Sequence, residues 1–230
     1  MLKQKTYLDT AIRIGFWIIC FIIGIIFLSI ISGCGQNVPE TPKTVGDKSY
    51  FPNVDGYSWT YNTSTTVTTS FNGSLTNISI SQGTLKNYFN GTTSIEGVGT
   101  VQKFISYQMD FEPITQLINV SASTVESYGT LSSITREASN FLLFPFNTGM
   151  SWITTDNLQA IVLGEETVIT PLGTFDCFKV KEPNDFYIWL SKNVGIVKMM
   201  QISTNAATSE SFTITTTYIS TAELVEKNFL

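Results

Sequence analysis

YSWTYNTSTTVTTSFNGSLTNISIS, residues 57–81, contains the signal that decides the fold. Tyr57, Trp59 and Tyr61 share one parity, and serine, threonine and asparagine fill the alternate positions. Because successive side chains of a strand point to opposite faces, this alternation predicts a strand with one face in water. Asn72-Gly73 follows, a pair favoured in two-residue hairpin turns that need positive φ. The stretch therefore predicts a β-hairpin.

Turn signals farther along the chain extend this hairpin into a sheet. Asn90-Gly91 predicts a second turn of the same type, and Pro171 with Gly173 suits a type I turn between two more strands. The continuous apolar strands and long helical periods of a parallel sheet are not prominent. We expect an all-β or nearly all-β protein with a curved antiparallel sheet of hairpins, as a half-open barrel or meander. Short helices are expected at most at residues 112–120 and 221–229.

Residues 101–111 also alternate, and the alternation assigns their side chains to two faces. The predicted core face is apolar: Val101, Ile105, Tyr107, Met109 and Phe111. The predicted outer face is polar: Gln102, Ser106, Gln108 and Asp110.

The pattern F-P-x-x-x-G-x-S-W occurs twice, as FPNVDGYSW at residues 51–59 and FPFNTGMSW at residues 144–152. Proline stiffens an extended approach, glycine permits a sharp bend, and the tryptophan then points inward as a strand begins. We interpret each copy as the start of a β-unit. Residues 50–230 would then form one β-rich domain with related halves at 50–142 and 143–230. The alternative is that proline, glycine and an aromatic residue are common at strand starts.

The N-terminus has the pattern of an export signal. A basic segment is followed by a charge-free apolar run from Ile14 to Ile31. The run reaches the lower end of the length that spans a bilayer as a helix, so spacing alone permits a cleaved signal or a retained anchor.

Ile31-Ser32-Gly33-Cys34 resembles the lipobox of bacterial lipoproteins. The resemblance implies that residues 1–33 are a signal peptide and that Cys34 carries the acyl chains, palmitate among them. Residues 34–49 would be a flexible tether, since they contain two prolines and little to bury. The protein would then be anchored by lipid to a membrane of the cell envelope, the outer membrane if the source has two. The alternative is an uncleaved anchor with an incidental cysteine.

Composition excludes several classes of function. The chain has no histidine, which removes Ser-His-Asp and Cys-His nucleophiles. Its formal charge of −5 and the lack of a basic cluster argue against nucleic acid as a partner. We expect no enzyme, no catalytic residue, no metal site and no cofactor. The remaining reactive side chains form no recognisable group: Cys177, Asp110, Glu112, Glu165, Glu166, Asp176 and Asp185.

Residues 165–198 combine a P-x-G-T-F turn, an aromatic strand and a V-G-I-V-K strand. This pattern is similar to that of uncharacterised bacterial lipoproteins with a curved antiparallel sheet. The fold is also analogous, at a distance, to the lipoprotein localisation carriers, whose half-open barrels hold acyl chains. The analogy concerns the fold alone.

Aromatic side chains that share strand faces are the candidate binding residues. In a closed sheet they fill the core, and in a half-open sheet they line a pocket for a lipid or another hydrophobic small molecule. We expect a membrane-anchored, non-enzymatic binding module, or alternatively a structural or protein-interaction component of the envelope. The candidates are Tyr57, Trp59, Tyr61, Tyr107, Trp152, Tyr187 and Trp189.

Overall fold

The computed structural model describes residues 50–109, 111–154 and 158–229. These residues form twelve strands in one antiparallel sheet that is nearly closed into a barrel shape, which confirms the predicted fold class. The strands are β1 Ser58–Phe71, β2 Ser74–Ile95, β3 Gly99–Gln108, β4 Ile114–Val120, β5 Thr124–Thr130, β6 Ser133–Leu143, β7 Ser151–Ile153, β8 Gln159–Thr170, β9 Gly173–Glu182, β10 Phe186–Ser191, β11 Gly195–Thr208 and β12 Thr213–Lys227. The described part of the chain contains no helix that could cross a membrane.

The strand order is β6-β5-β4-β3-β2-β1-β12-β11-β10-β9-β8-β7. The first six strands form one meander and the last six form another, and the β1–β12 pair joins the two. The boundary that the repeat predicts near residue 143 falls between β6 and β7. A common origin of the two halves, and the signal and tether at residues 1–49, remain predictions; those N-terminal residues lie outside the described part.

The two copies of the repeated motif have the same backbone arrangement. Gly56 has a φ of 84° and donates its N–H to the carbonyl of Phe89 at 3.0 Å. Gly149 has a φ of 82° and donates its N–H to the carbonyl of Val162 at 2.8 Å. A strand starts two residues after each glycine, and the tryptophan that closes each motif is buried. Each copy therefore bends the chain into a new strand.

The predicted turns are confirmed at two of three places. Asn72 and Gly73 both have positive φ and connect β1 to β2, and the Pro171-Leu172 turn connects β8 to β9. Asn90-Gly91 is not a turn, because β2 continues through it to Ile95. The register of β2 with β3 shifts at this point, so the positive φ of Gly91 serves a β-bulge.

The two short helices that the sequence allowed are strands. Residues 114–120 form β4, and residues 221–227 are the end of β12. Helix-forming residues such as Ala222, Leu224 and Glu226 pair in register with β1. Burial of Ala222 and Leu224 in the sheet overrides their helix propensity.

The faces predicted for β3 are partly right: Val101 and Ile105 are buried as predicted, but other side chains of the strand are not where the alternation placed them. Phe104 packs in the main core, and the polar Ser106 on the same face is buried as well. Tyr107 is 42% exposed and Met109 is 70% exposed. Alternation misassigned the strand because Val101 lies in a second, smaller core, which covers the opposite face. That core contains Ile95, Val101, Leu117 and Tyr128.

The main core fills the interior of the barrel with aromatic and aliphatic side chains from both meanders. Phe89 and Phe104 lie with their ring centroids 5.2 Å apart, and Phe51 packs 5.8 Å from Phe104. Burial of these rings stabilises the fold through the apolar area that it removes from water.

Candidate functional site

The seven candidate aromatic residues do not share one site. Trp59, Tyr61 and Trp152 are buried in the main core. Tyr57 is half-buried and stacks on Phe229 with ring centroids 4.5 Å apart. Tyr107 is exposed, Trp189 is buried as a further member of the main core cluster, and Tyr187 is half-buried against that cluster.

Trp59 and Tyr61 are fixed by hydrogen bonds within the core. The indole N–H of Trp59 donates to the carbonyl of Val194 at 2.6 Å, and the Tyr61 hydroxyl donates to the carbonyl of Ile196 at 3.0 Å. Burial raises the pKa of Tyr61 above its ordinary value. A Cβ atom at Gly195 would lie 3.3 Å from the Trp59 ring. These side chains are parts of a filled core.

One cavity opens in the barrel interior, with a volume of about 40 Å³. That volume is of the order needed for a few water molecules. Phe104, Phe186 and Met199 contribute to an apolar lining, and Asn87 and Ser106 add polar atoms. The side-chain carbonyl oxygen of Asn87 is buried without a hydrogen-bond partner among the described residues.

Lysine ammonium groups lie over the rings of Tyr187 and Trp189. The Lys179 ammonium lies 4.8 Å from the Trp189 ring centroid and 5.4 Å from that of Tyr187. Lys198 lies 5.7 Å from the Trp189 ring, and the indole N–H donates to the Glu166 carboxylate. Trp189 is only 3% exposed as a result. The protein's own side chains cover these rings.

Cys177 is a buried free thiol. Burial raises its pKa to about 12, and the negative charges of Asp176 and Glu166 add to the shift. A thiol with this pKa stays protonated at neutral pH and is a poor nucleophile.

The carboxylates that the sequence offered are distributed over the barrel exterior. Glu166 lies 3.8 Å from the Lys179 ammonium, and Asp185 lies 2.8 Å from that of Lys181. Among the described residues, no three acidic or cysteine side chains are placed to hold a metal ion. Asp110 lies outside the described part.

Four strands project beyond their neighbours in the sheet. Residues 85–95 of β2 pair with β3, and residues 195–201 of β11 pair with β10. Past the ends of β3 and β10, the four strands β2, β1, β12 and β11 continue side by side in that order. We name this projection, residues 66–83 and 202–219, the blade. No blade residue is buried on either face.

The blade is nearly free of charge. Its residues include one charged side chain, Glu210, which lies in the turn between β11 and β12. Phe71 and Phe212 stack at the tip with ring centroids 5.8 Å apart. The exposed large apolar side chains of the blade are Phe71, Leu75, Ile78, Ile80, Phe212, Ile214 and Ile219.

Strand register groups several of these side chains on one face. Thr66 pairs with Ile80 on one side and with Ile219 on the other, and Ile219 pairs with Ile202. Residues that pair directly lie on the same face of a sheet. The four side chains form a row across the blade, three of them isoleucine.

Sequence reasoning missed the blade. The signal was the absence of charged residues between Asp55 and Lys86, together with the single charge between Lys198 and Glu223. Long uncharged alternating strands with serine and threonine were interpreted as half-buried. Pairing with β3 and β10, which a single sequence does not reveal, determines how far each strand is covered.

No family model and no curated protein matches the sequence. Two solved structures show distant similarity. The DUF1329 family protein from Desulfovibrio piger ATCC 29098 is 9% identical with a TM-score of 0.18, over 75% of this chain and 86% of that chain. Ail, the attachment invasion locus protein of Yersinia pestis, is 8% identical with a TM-score of 0.15, over 74% and 99% of the two chains. At TM-scores this low, neither similarity bears on function.

Proposed function

We propose that this protein is an exported, non-enzymatic interaction module of the cell envelope, and that the blade is its binding surface. The observation that carries the proposal is the contrast between the blade, which has no buried residue, and the barrel, whose interior is filled. The proposal extends to the anchor: acylation at Cys34 would hold the barrel and blade at a membrane surface.

Exposed apolar surface on the blade is unfavourable in water. Contiguous exposed apolar side chains mark interaction sites in soluble proteins. The blade combines such side chains with two strand edges whose backbone groups face no neighbouring strand within the described part of the chain. Unpaired strand edges are templates for pairing with another chain. The blade therefore supplies both the apolar contact and the hydrogen-bonding groups that a protein partner needs.

A photo-crosslinking amino acid placed in the full chain, in membranes of a bacterial host, tests this function. We choose Ile80 on the blade and Ile169 on the barrel, because they are 65% and 76% exposed. The blade position should form discrete protein adducts and the barrel position should not. Equal labelling from both positions, or none from Ile80, would overturn the proposal.

Binding of a small hydrophobic molecule in the barrel is the second candidate function. The apolar lining of the cavity and the unpaired oxygen of Asn87 favour it. Because the cavity is small, the barrel would have to open to admit a lipid. Native mass spectrometry of the detergent-free chain tests this candidate: a reproducible adduct that is reduced by Trp59→Ala supports it, and a bare chain that takes up no added lipid rejects it.

A further inference from the structure

We propose that the blade binds a second copy of this chain, by antiparallel pairing of the free edge of β2 with the same edge of its partner, centred on Ser79. This inference rests on the proposed function and names the partner. The pairing edge is residues 74–83, which bond to β1 on one side and have no neighbouring strand on the other among the residues that the structure describes.

The other ends of the sheet are protected against such pairing. The edge strand β7 has only three residues. The edge strand β6 carries the charged Arg136 and Glu137. Short length and charge are the usual protections of an edge strand. Residues 74–83 of β2 contain neither a charged residue nor proline, so this edge has neither chemical protection.

Between the two free edges of the blade, β2 offers the better pairing strand. Its free edge is ten residues long and contains Ile78 and Ile80, which have high strand propensity. The free edge of β11, residues 203–208, is shorter and contains Ala206 and Ala207, which have low strand propensity.

The sequence around Ser79 is self-complementary. Antiparallel pairing centred on Ser79 places Ile78 opposite Ile80 of the second copy, and Ile80 opposite Ile78. On the other face it places Asn77 opposite Ser81. A twofold interface requires this reciprocity, since each residue must match its partner in both directions. Apolar residues therefore meet apolar residues, and polar residues meet polar ones.

Charge favours the blade as the place where two copies meet. The chain has a formal charge of −5, and the blade contributes only Glu210 to it. The pairing centre, Ser79, lies five residues from the tip of the blade at residue 74 and five residues from the barrel at residue 84. At about 3.4 Å per residue, each of these separations is about 17 Å. That distance exceeds the screening length of about 8 Å at physiological salt. The two acidic barrels would not repel each other strongly in this arrangement.

Disulfide trapping of the full chain in membranes tests the register. Ser79→Cys places two thiols opposite each other, at a separation that a disulfide can bridge. Asn77→Cys is the matched control on the same strand and face. In this register the two substituted residues of the dimer would be offset by four residues along the strands, about 13 Å, which is too far for a disulfide. We expect a covalent dimer from Ser79→Cys after mild oxidation, several-fold more than from Asn77→Cys or the unmodified chain. Equal dimer from both variants, or none from Ser79→Cys, would overturn the inference.

The two tests together separate the inference from the proposed function. If Ile80 crosslinks to a different protein and Ser79→Cys gives no dimer, the blade is a binding surface and the partner is not a second copy. If Ile80 gives no adduct and Ser79→Cys gives no dimer, both proposals fail. If Ile80 crosslinks to a second copy and Ser79→Cys gives the dimer, both are supported.

Discussion

Gly195 shows how one residue links the two meanders. It has a φ of 89°, and a Cβ atom there would lie 3.3 Å from both Pro52 and the Trp59 indole. The glycine thus permits the first copy of the repeated motif to pack against the start of β11. Both the backbone conformation and the close approach require that this residue has no side chain.

Gly195→Ala should lower the free energy of unfolding by about 2–4 kcal/mol, because the alanine is strained at positive φ and also displaces Trp59. Gly97→Ala is the control, since Gly97 has a φ of 80° and open space around it. The control should lose about 1 kcal/mol, from backbone strain alone. Urea unfolding monitored by tryptophan fluorescence measures both. Equal losses would show that the contact with Trp59 is unimportant.

Glu182 is a buried carboxyl group whose burial no sequence pattern predicted. It is 1% exposed, and neither carboxylate oxygen has a hydrogen-bond partner among the described residues. Burial raises its pKa from 4.5 to about 8. The folded protein therefore holds this proton at neutral pH.

Stability should fall as pH rises from about 4.5 to about 8. In this window the folded Glu182 is protonated and the unfolded one is not, so the folded state binds the extra proton and loses its advantage with rising pH. Glu182→Gln should remove this slope and be more stable than the parent above pH 8, by about 3–5 kcal/mol. Thermal unfolding from pH 4.5 to 9 measures the slope. The same slope in both proteins would contradict the assignment.

At the scale of strands, β1 contains both environments of the molecule. Its first residues, including Trp59 and Tyr61, are buried, and residues 66–71 lie in the blade. Both parts pair with β2 and β12, so they differ in coverage and not in backbone pairing. The two parts of β1 therefore show how much burial adds to local stability when the backbone hydrogen bonding is the same.

Amides of residues 66–71 should exchange with solvent at least tenfold faster than those of residues 59–65, since few buried contacts hold the blade closed. Hydrogen exchange followed by mass spectrometry, at protein concentrations below association, measures the two segments separately. Uniform protection along β1 would show that the blade is as stable as the barrel.

Local turn chemistry made the hairpins predictable, and long-range pairing limited the rest. Asn72-Gly73 connects two strands, whereas the chemically identical Asn90-Gly91 is accommodated in a bulge because β2 pairs with β3 on both sides of it. Ala222 and Leu224 were compatible with a helix until their pairing with β1 was known. Of the candidate aromatic residues, Trp59 and Tyr61 lie on the face that alternation predicted.

At the scale of the whole molecule, two six-stranded meanders close around the main core and leave one projection uncovered. The repeated motif predicted two β-units. The blade was unpredictable because it arises from unequal strand lengths: β1, β2, β11 and β12 have 14 to 22 residues, and β10 has six. The account therefore depends on the claim that the blade serves association and not folding.

Shortening the blade tests that claim most directly. Residues 67–79 and 204–217 are each replaced by Asn-Gly, so that the pairs Thr66 with Ile80 and Ser203 with Tyr218 flank new two-residue turns. The measurement is the mass of the complex that each full-length protein forms in mild detergent, with thermal unfolding of both. We predict more than one polypeptide for the parent and a single chain for the shortened protein, with unfolding midpoints within a few degrees. A shortened protein that still associates, or a parent that is a single chain, would contradict the account.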